Sequence, residues 1–576
     1  MSAGSLFATN DTLEWKSLPD LPGGFGVAGP FAGTHNDTLI IAGGANFPDG
    51  VPWRPTADGG TSAKVYYDTI HVVTKDGADY SIAEAKAKLP QVLGYGVSIS
   101  TTDGVLCIGG EWRKDGVTHR SAKVFAVSLA DGQVVVDENY PPLPDATTAA
   151  AGALVGKTIY IAGGDSGEGA TQNFWSLDLA KRDTDDFKWV ELPPWDGPAR
   201  THLLASAQND GGTDCLYIFS GRMKDTQGRW HMLSDTHKYN PKSGKWKRVN
   251  NIQTKGDAQP RCVMAGTAAS VGTNSLLLFG GANGKRFITL ESLSAQITAA
   301  KAAGNEQVAA ALDAEKQKIQ DAHDGFSRDI LLYNTVTDQW QKFANFKEGS
   351  RSATAPGVTK LVPIGSHVTT TAVQWGNSII IPTGESSPGI RTKNIWKIDL
   401  ARQNENFGTT NWIVMVSYMG VLIGIGIYFS RKNNSTEDYF LAGRRVVWWA
   451  AGLSIFSTML SAITYLSIPA KAYATNWTWF IFNMTIPVMA PVIIYCFLPF
   501  YRRLGITSIY EYLEMRFSTG LRKLGSASFA IFQLARMGIV ILLPALALSS
   551  VTGWDVIYCI ITMGVLSTIY TVLGGI

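Results

Sequence analysis

Six times within its first 400 residues the chain repeats a short apolar run that ends in a glycine pair or a near equivalent. The copies are LIIAGG at Gly44, LCIGG at Gly110, IYIAGG at Gly164, YIFSG at Gly221, LLLFGG at Gly281 and IIIPTG at Gly384. They lie 66, 54, 57, 60 and 103 residues apart. Most are followed by an aromatic-rich strand and then a tryptophan, as in FWSLDL with Trp189, HKYNP with Trp246 and LLYNT with Trp340. Self-similarity at this period means one small unit per repeat, and a lone unit cannot bury both of its faces. Neighbouring copies must therefore stack, with glycines permitting close backbone approach and aromatics filling the space between units.

The repeat resembles the kelch motif, one four-stranded blade of a β-propeller, and six copies imply a six-bladed ring over residues 1–402. The last copy supplies IIIPTG and NIWKIDL and then runs into apolar sequence, while LEWKSLPDLP near the N-terminus precedes the first glycine pair without a partner. Pairing these ends would close the ring and remove an open sheet edge. An insertion at about residues 288–325 accounts for the longest spacing, and its Ala, Gln, Lys and Glu content predicts a helical pair. Such an insertion is either a solvated excursion or a lid over the channel mouth.

The chemistry of the chain changes near residue 408. Of 50 Lys+Arg and 47 Asp+Glu, eleven and five follow that point, leaving 39 and 42 before it, so the charged fraction falls from about 20% to about 10%. Apolar runs of spanning length at 411–430, 447–470, 478–500, 524–548 and 553–574 predict a linker at 403–410 and five transmembrane helices over 411–576. A wholly soluble protein is excluded. Nucleic-acid binding is disfavoured, because the basic excess sits in short loops between apolar runs and the long polar region is slightly acidic. Cys107, Cys215, Cys262, Cys496 and Cys559 have no metal-ligand spacing and are expected to pack as small apolar residues. His35, His202, His231 and His367 are isolated, so neither a metal nor a cofactor is expected in the propeller.

The segments GGFGVAGPFAGTHNDTLIIAGGANF, HKYNPKSGKW, FGGANGKRF and TGESSPGIRTKNIWKIDL resemble the bacterial N-acetylneuraminate epimerase, or sialic acid mutarotase, family. The order is rotated. The family begins at the blade equivalent to LPDATTAAAGALVGKTIYIAGG, and the segments found here at residues 1–139 come last, so the chain resembles a cyclically permuted branch. The resemblance covers nearly all of residues 1–400, with TGESSPGIRT its most specific element. It implies an isomerase that opens and recloses a sugar ring, a base taking the anomeric hydroxyl proton while an acid protonates the ring oxygen. The substrate is an anion, so its carboxylate needs a cation, and arginine offers a planar fork. By resemblance, Glu385 matches the family's proton acceptor and Arg391 its companion arginine. On the residues alone the two also fit an exposed loop acid with its salt-bridge partner. Arg200 in GPARTH is the expected substrate contact; Arg222, Asn283 and Glu111, close behind glycine copies, are weaker candidates.

The run STEDYFLAGRRVVWWAAGLSIFSTMLSAITYLSIPAKAY resembles the start of the sodium:solute symporter family. Its hydroxyl residues Ser454, Ser457, Thr458, Ser461 and Thr464 would suit simple helix packing. The resemblance implies instead a helix broken near mid-membrane, with the carbonyls of Ser457 and Leu460 on sodium and Ser461 and Thr464 on the substrate. Arg536 lies inside an apolar run, where a charge costs roughly 2.5–3.5 kcal/mol on insertion scales, which marks it as functional. Sialic acid transporters of the family place an arginine there for the substrate carboxylate, with an amide on the preceding helix that Asn483 would supply. Arg431, Lys432, Arg444 and Arg445, then Arg502, Arg503, Arg516, Arg522 and Lys523, mark cytoplasmic loops and put the propeller on the periplasmic side of a bacterial inner membrane. The opening MSAGSLFATNDTLEWKS has no export signal, so a missing or misassigned start is expected. Family members carry about a dozen spans or more, so the chain is expected to be a fragment that does not transport by itself.

The expected whole is an all-β six-bladed kelch propeller followed by an all-α transmembrane domain, the first part of an inverted-repeat sodium symporter fold. Its expected function is sialic acid anomer interconversion coupled to sodium-dependent sialic acid uptake. The expected ligands are sialic acid or a related acidic sugar and Na+, in a lipid bilayer. The alternative is a non-catalytic sugar-binding kelch module feeding a symporter of different substrate.

Overall fold

The structure, a computed structural model, describes residues 12–401 and 409–574 except 25, 57, 324, 347–349, 356–357, 364–366, 432–445, 462–463, 466–467, 475–476, 507, 553 and 555. Most of the expected linker and the DYFLAGR stretch lie outside the described residues. The chain divides at Ala401 into two compact units, taken here separately.

The first unit holds six four-stranded antiparallel sheets. The second strand of each blade is the apolar run of the repeat. In Thr38–Ala42, Gly104–Ile108 and Ser275–Phe279 every residue is buried, because both faces of the blade are covered. The covering is mutual: six apolar clusters each draw on two adjacent blades and together run round the ring. The tryptophans reinforce these seams. The indoles of Trp189, Trp246 and Trp340 donate to the carbonyls of Pro141, Pro193 and Asn250, each on the exit loop of the blade before, at 2.9–3.1 Å.

The glycine pair has a backbone cause. Its second residue has φ between 90° and 129° in all six copies, a region costly for any residue with a Cβ. Its first residue sits at φ 56–65° in five copies, Ser220 among them, and at 26° in the sixth, where the β-branched Thr383 is held by its hydroxyl, which donates to the Thr392 carbonyl and accepts from the Val27 amide. The second glycine also abuts the strand leading into the same blade, and a Cβ on Gly281 would lie 2.5 Å from the Val263 carbonyl oxygen.

One residue before each inner strand completes the ring. The amides of Gly29, Tyr95, Ala149, His202, Ala265 and Thr369 donate to the carbonyls of Thr369, Gly29, Tyr95, Ala149, His202 and Ala265 respectively, at 2.7–2.9 Å. These bonds form a closed circle of six around the axis, and all six residues have φ between 49° and 63°. Closure at the rim uses the N-terminal strand, Thr12–Ser17, which pairs antiparallel with Ile390–Ala401 of the sixth blade. The insertion is two helices within the fifth blade, α1 (Lys285–Ala302) and α2 (Glu306–Asp321).

In the second unit, Thr409–Tyr428, Phe480–Arg503 and Thr519–Ser549 are helical segments long and apolar enough to cross a membrane. The other two expected spans differ. Trp448–Met459 stops because Leu460 turns extended (φ −81°, ψ 108°), and the fifth is the helix Val556–Gly574, whose described apolar stretch is Val556–Ile569.

Gly281→Ala should lower stability by about 2–4 kcal/mol, adding overlap with Val263 to backbone strain, whereas Gly132→Ala, in an open hairpin, should cost about 1 kcal/mol. Thermal unfolding of the two variants checks this, and equal losses would contradict the close-approach account.

Candidate functional site at the propeller mouth

The residue after each glycine pair forms a single β-bridge to the residue before the matching member of the hydrogen-bonded circle. Six equivalent positions therefore surround one end of the axis: Ala45, Glu111, Asp165, Arg222, Ala282 and Glu385. Beyond the circle, a cavity of about 280 Å³ is lined by small residues of the inner strands such as Ser98, Ser206 and Thr267. The circle thus floors the charged mouth and separates it from the channel.

Glu385 is held tightly. Its backbone exchanges hydrogen bonds with Val368 at 2.9 and 3.0 Å, and its Oε1 accepts from the Gly389 amide at 2.9 Å across a short hairpin. That hairpin puts Arg391 directly opposite, with Nη1 3.3 Å from Oε1. Arg391 is 4% exposed, lies over the Phe47 ring at 4.7 Å and donates to the Tyr95 hydroxyl at 3.4 Å. The structure thus brings the two expected catalytic residues together with Tyr95, a member of the circle. Reading the residues singly missed Tyr95; its signal is its place at the start of an inner strand.

The other charged positions are also paired. Glu111 accepts from the Tyr66 hydroxyl at 2.5 Å and lies 3.5 Å from Lys64 Nζ. Burial, then the Glu111 charge, pushes the Tyr66 phenol up beyond the ordinary range, so it remains a donor. Asp165 pairs with Arg120 at 3.0 Å. His202, a member of the circle, is pushed well below the ordinary histidine range by burial and then by Arg222 and Lys64, and stays neutral. Helix α1 stacks Phe287 edge-on against Trp230 at 5.0 Å, and Asp321 at the end of α2 accepts from Trp53 and Arg54 at 3.2 and 2.8 Å. The insertion thereby ties the fourth blade to the first, which stands opposite it in a ring of six.

Arg200 is a correction. Its side chain is fully buried, forks onto both oxygens of Asp235 at 2.7 and 3.1 Å, donates to the Ser220 carbonyl and lies over Trp195. It braces the third blade against the fourth below the mouth, out of a ligand's reach. Asn283 caps the start of α1 by accepting from the Lys285 amide.

In the second unit, the helix break falls at Leu460, one of the expected sodium ligands. The Ser457 hydroxyl donates to the Leu453 carbonyl at 2.6 Å, and Ser461 and Thr464 lie with their hydroxyls 3.4 Å apart just after the break. Asn483 ends the short helix Thr478–Asn483, and Arg536 lies at the middle of Thr519–Thr552, exposed.

Residues 140–419 match the family model for N-acetylneuraminate epimerase, and residues 439–576 that for the sodium:solute symporter family. Two separate segments of the chain thus match two different families. The epimerase match starts at residue 140, where the permuted order begins, and contains Asp165, Arg222, Glu385 and Arg391. The symporter segment is 45% identical over 172 residues to the sodium/sialic acid symporter NanT of Aliivibrio fischeri, covering 30% of this chain and 34% of that protein. It is 42% identical over 174 residues to the sodium/sialic acid symporter SiaT of Proteus mirabilis, covering 30% and 35%. The chain thus spans about a third of the length of these curated relatives. A solved structure described as "Structure of YjhT" aligns at 14% identity and a TM-score of 0.42, over 66% of this chain and 97% of that one.

Two expected outcomes follow for the propeller. Arg200→Met should destabilise it by about 3–5 kcal/mol, because Asp235 is left buried without its main counter-charge, while leaving ligand affinity of the folded fraction unchanged. Chemical unfolding and calorimetry separate the two effects. Burial also pushes His367 down to about 4, against the weaker opposing pull of its bond to the Thr383 carbonyl. The unfolded chain binds this proton near pH 6.5 and the folded one does not, so stability present above pH 6.5 is lost as pH falls towards 4, by roughly 3 kcal/mol. His367→Gln should flatten that slope in urea midpoints measured at pH 6.5, 5.5 and 4.5.

Proposed function

We propose that the propeller interconverts the anomers of N-acetylneuraminate and that the membrane unit handles the same sugar acid with sodium. The observation that carries this reading is the Glu385–Arg391 pair, set on the mouth of a propeller that matches the N-acetylneuraminate epimerase family. Names of the membrane relatives add support from a separate stretch of chain, since both are sodium/sialic acid symporters.

In this reading Glu385 takes the proton of the anomeric hydroxyl, the ring C–O bond opens as an acid protonates the ring oxygen, and the carbonyl turns before reclosing on its other face. Arg391 positions Glu385: with Gly389 it fixes the carboxylate so that little reorganisation precedes proton transfer. The circle of Tyr95 and His202 bars passage down the channel and keeps the sugar among the charged loops. The insertion, tied at both ends, is a lid. On the membrane side, sodium would meet the carbonyls of Ser457 and Leu460 at the helix break, and the sugar Ser461, Thr464, Asn483 and Arg536. With the propeller on the outer face, anomer exchange would supply the carrier locally.

Glu385→Gln should remove the acceleration of α-to-β exchange of freshly released N-acetylneuraminate followed by NMR, by about 100-fold or more. Acceleration that survives the substitution, or is absent in the wild type, would turn the reading towards a binding module. Arg536→Ala should abolish sodium-dependent binding of N-acetylneuraminate to the membrane unit, and retained binding would point to another solute.

A further inference from the structure

The mouth carries more cations than its acids use. Glu385 is paired with Arg391, Glu111 with Lys64 and Asp165 with Arg120. Arg222 is the remaining cation on the six equivalent positions, and among the described residues it makes no ion pair. Its Nε is buried without a hydrogen-bond partner. Its guanidinium lies 5.0 Å from the Trp230 ring centre and 4.2 Å from that of Phe287 of α1, and because those two rings meet edge-on at 5.0 Å they form one aromatic corner against it. The nearest insertion acid, Glu291, acts on Arg222 through space, but its Oε2 accepts from the Trp230 indole at 3.1 Å. Glu385 stands at the equivalent position two blades away and is among the charges that act on Arg222.

We propose that Arg222 is the carboxylate seat of the mouth: an anionic group of the ligand pairs with its guanidinium, which rests in the corner of Trp230 and Phe287, while the rest of the ligand reaches Glu385. Arg391 also has an Nε without a hydrogen-bond partner, but it is 4% exposed and ion-paired with Glu385, whereas Arg222 has no ion pair among the described residues. The helical insertion then has a chemical task, because Phe287 supplies one wall of that corner. The proposal rests on the sialic acid reading only for the identity of the ligand, since an arginine without an ion pair at the mouth would receive any small carboxylate or phosphate.

The test uses the purified full chain in detergent without sodium and with Arg536→Ala in every sample, which removes the site proposed in the membrane unit, and calorimetry against N-acetylneuraminate and against its neutral methyl ester. Arg222→Gln should weaken binding of the acid by about 10- to 100-fold and change that of the ester less than about twofold. Arg222→Lys, a point charge without the fork, should recover part of the loss. Equal losses for acid and ester, or no loss for the acid, would overturn the proposal, with the melting temperature showing that each variant is folded. A chain with Arg222 intact that binds neither ligand would remove the sialic acid reading of the propeller; inorganic phosphate as probe would then decide Arg222 by itself, its binding abolished by Arg222→Gln if the seat is real and unchanged or absent if it is not.

Discussion

Six backbone hydrogen bonds running head to tail around the propeller axis set the terms for the rest of the first unit. Each blade contributes one donor and one acceptor, so the circle closes only when every blade stands at the same angle to the next. Five of its residues carry side chains in the left-handed region, at a cost of about 1–2 kcal/mol each. The bonds return about 0.5–1.5 kcal/mol each, so the circle nearly balances and contributes registry more than stability. Stability comes from the six apolar seams, which hold the strained circle in place.

That division of labour explains how one fold repeated six times carries an asymmetric site. The seams need the same apolar residues in every blade, but the position after each glycine pair projects from the seams and is free to vary. It holds acid in the second, third and sixth blades, arginine in the fourth and alanine in the first and fifth. The alanines stand where the bulkiest loops leave, carrying Phe47 and Trp53 in one case and the helical pair in the other. Small residues there let those loops fold back over the mouth.

What was legible in the sequence follows the same line. The repeat revealed the blades because glycine at φ near 100° admits no substitute, and the exceptions Ser220 and Thr383 both stand at the first position. The helical pair was readable from composition. Arg200 misled because a GPARTH loop looks exposed in sequence, yet its side chain folds inward to Asp235, 35 residues later, a partner no local pattern announces. Tyr95, Lys64 and Tyr66 were invisible for the converse reason: they gather around Glu111, Glu385 and Arg391 only when the first, second and sixth blades meet. Alignment of the repeats on their glycine pairs would have shown Arg222 and Glu385 at equivalent positions of their blades. In the membrane unit the broken helix was expected from resemblance rather than from composition, since the residues around Leu460 are as apolar as those before them.

The strand Ile390–Ala401 is the last of the propeller before the chain continues towards Thr409 and the apolar helices. It is bonded on one side to Ser378–Ser387 and on the other to Thr12–Ser17. A pull applied at Ala401 therefore acts along a strand gripped on both edges, loading many hydrogen bonds in shear at once rather than peeling them one by one. The seam that closes the propeller at its rim doubles as a mechanical anchor.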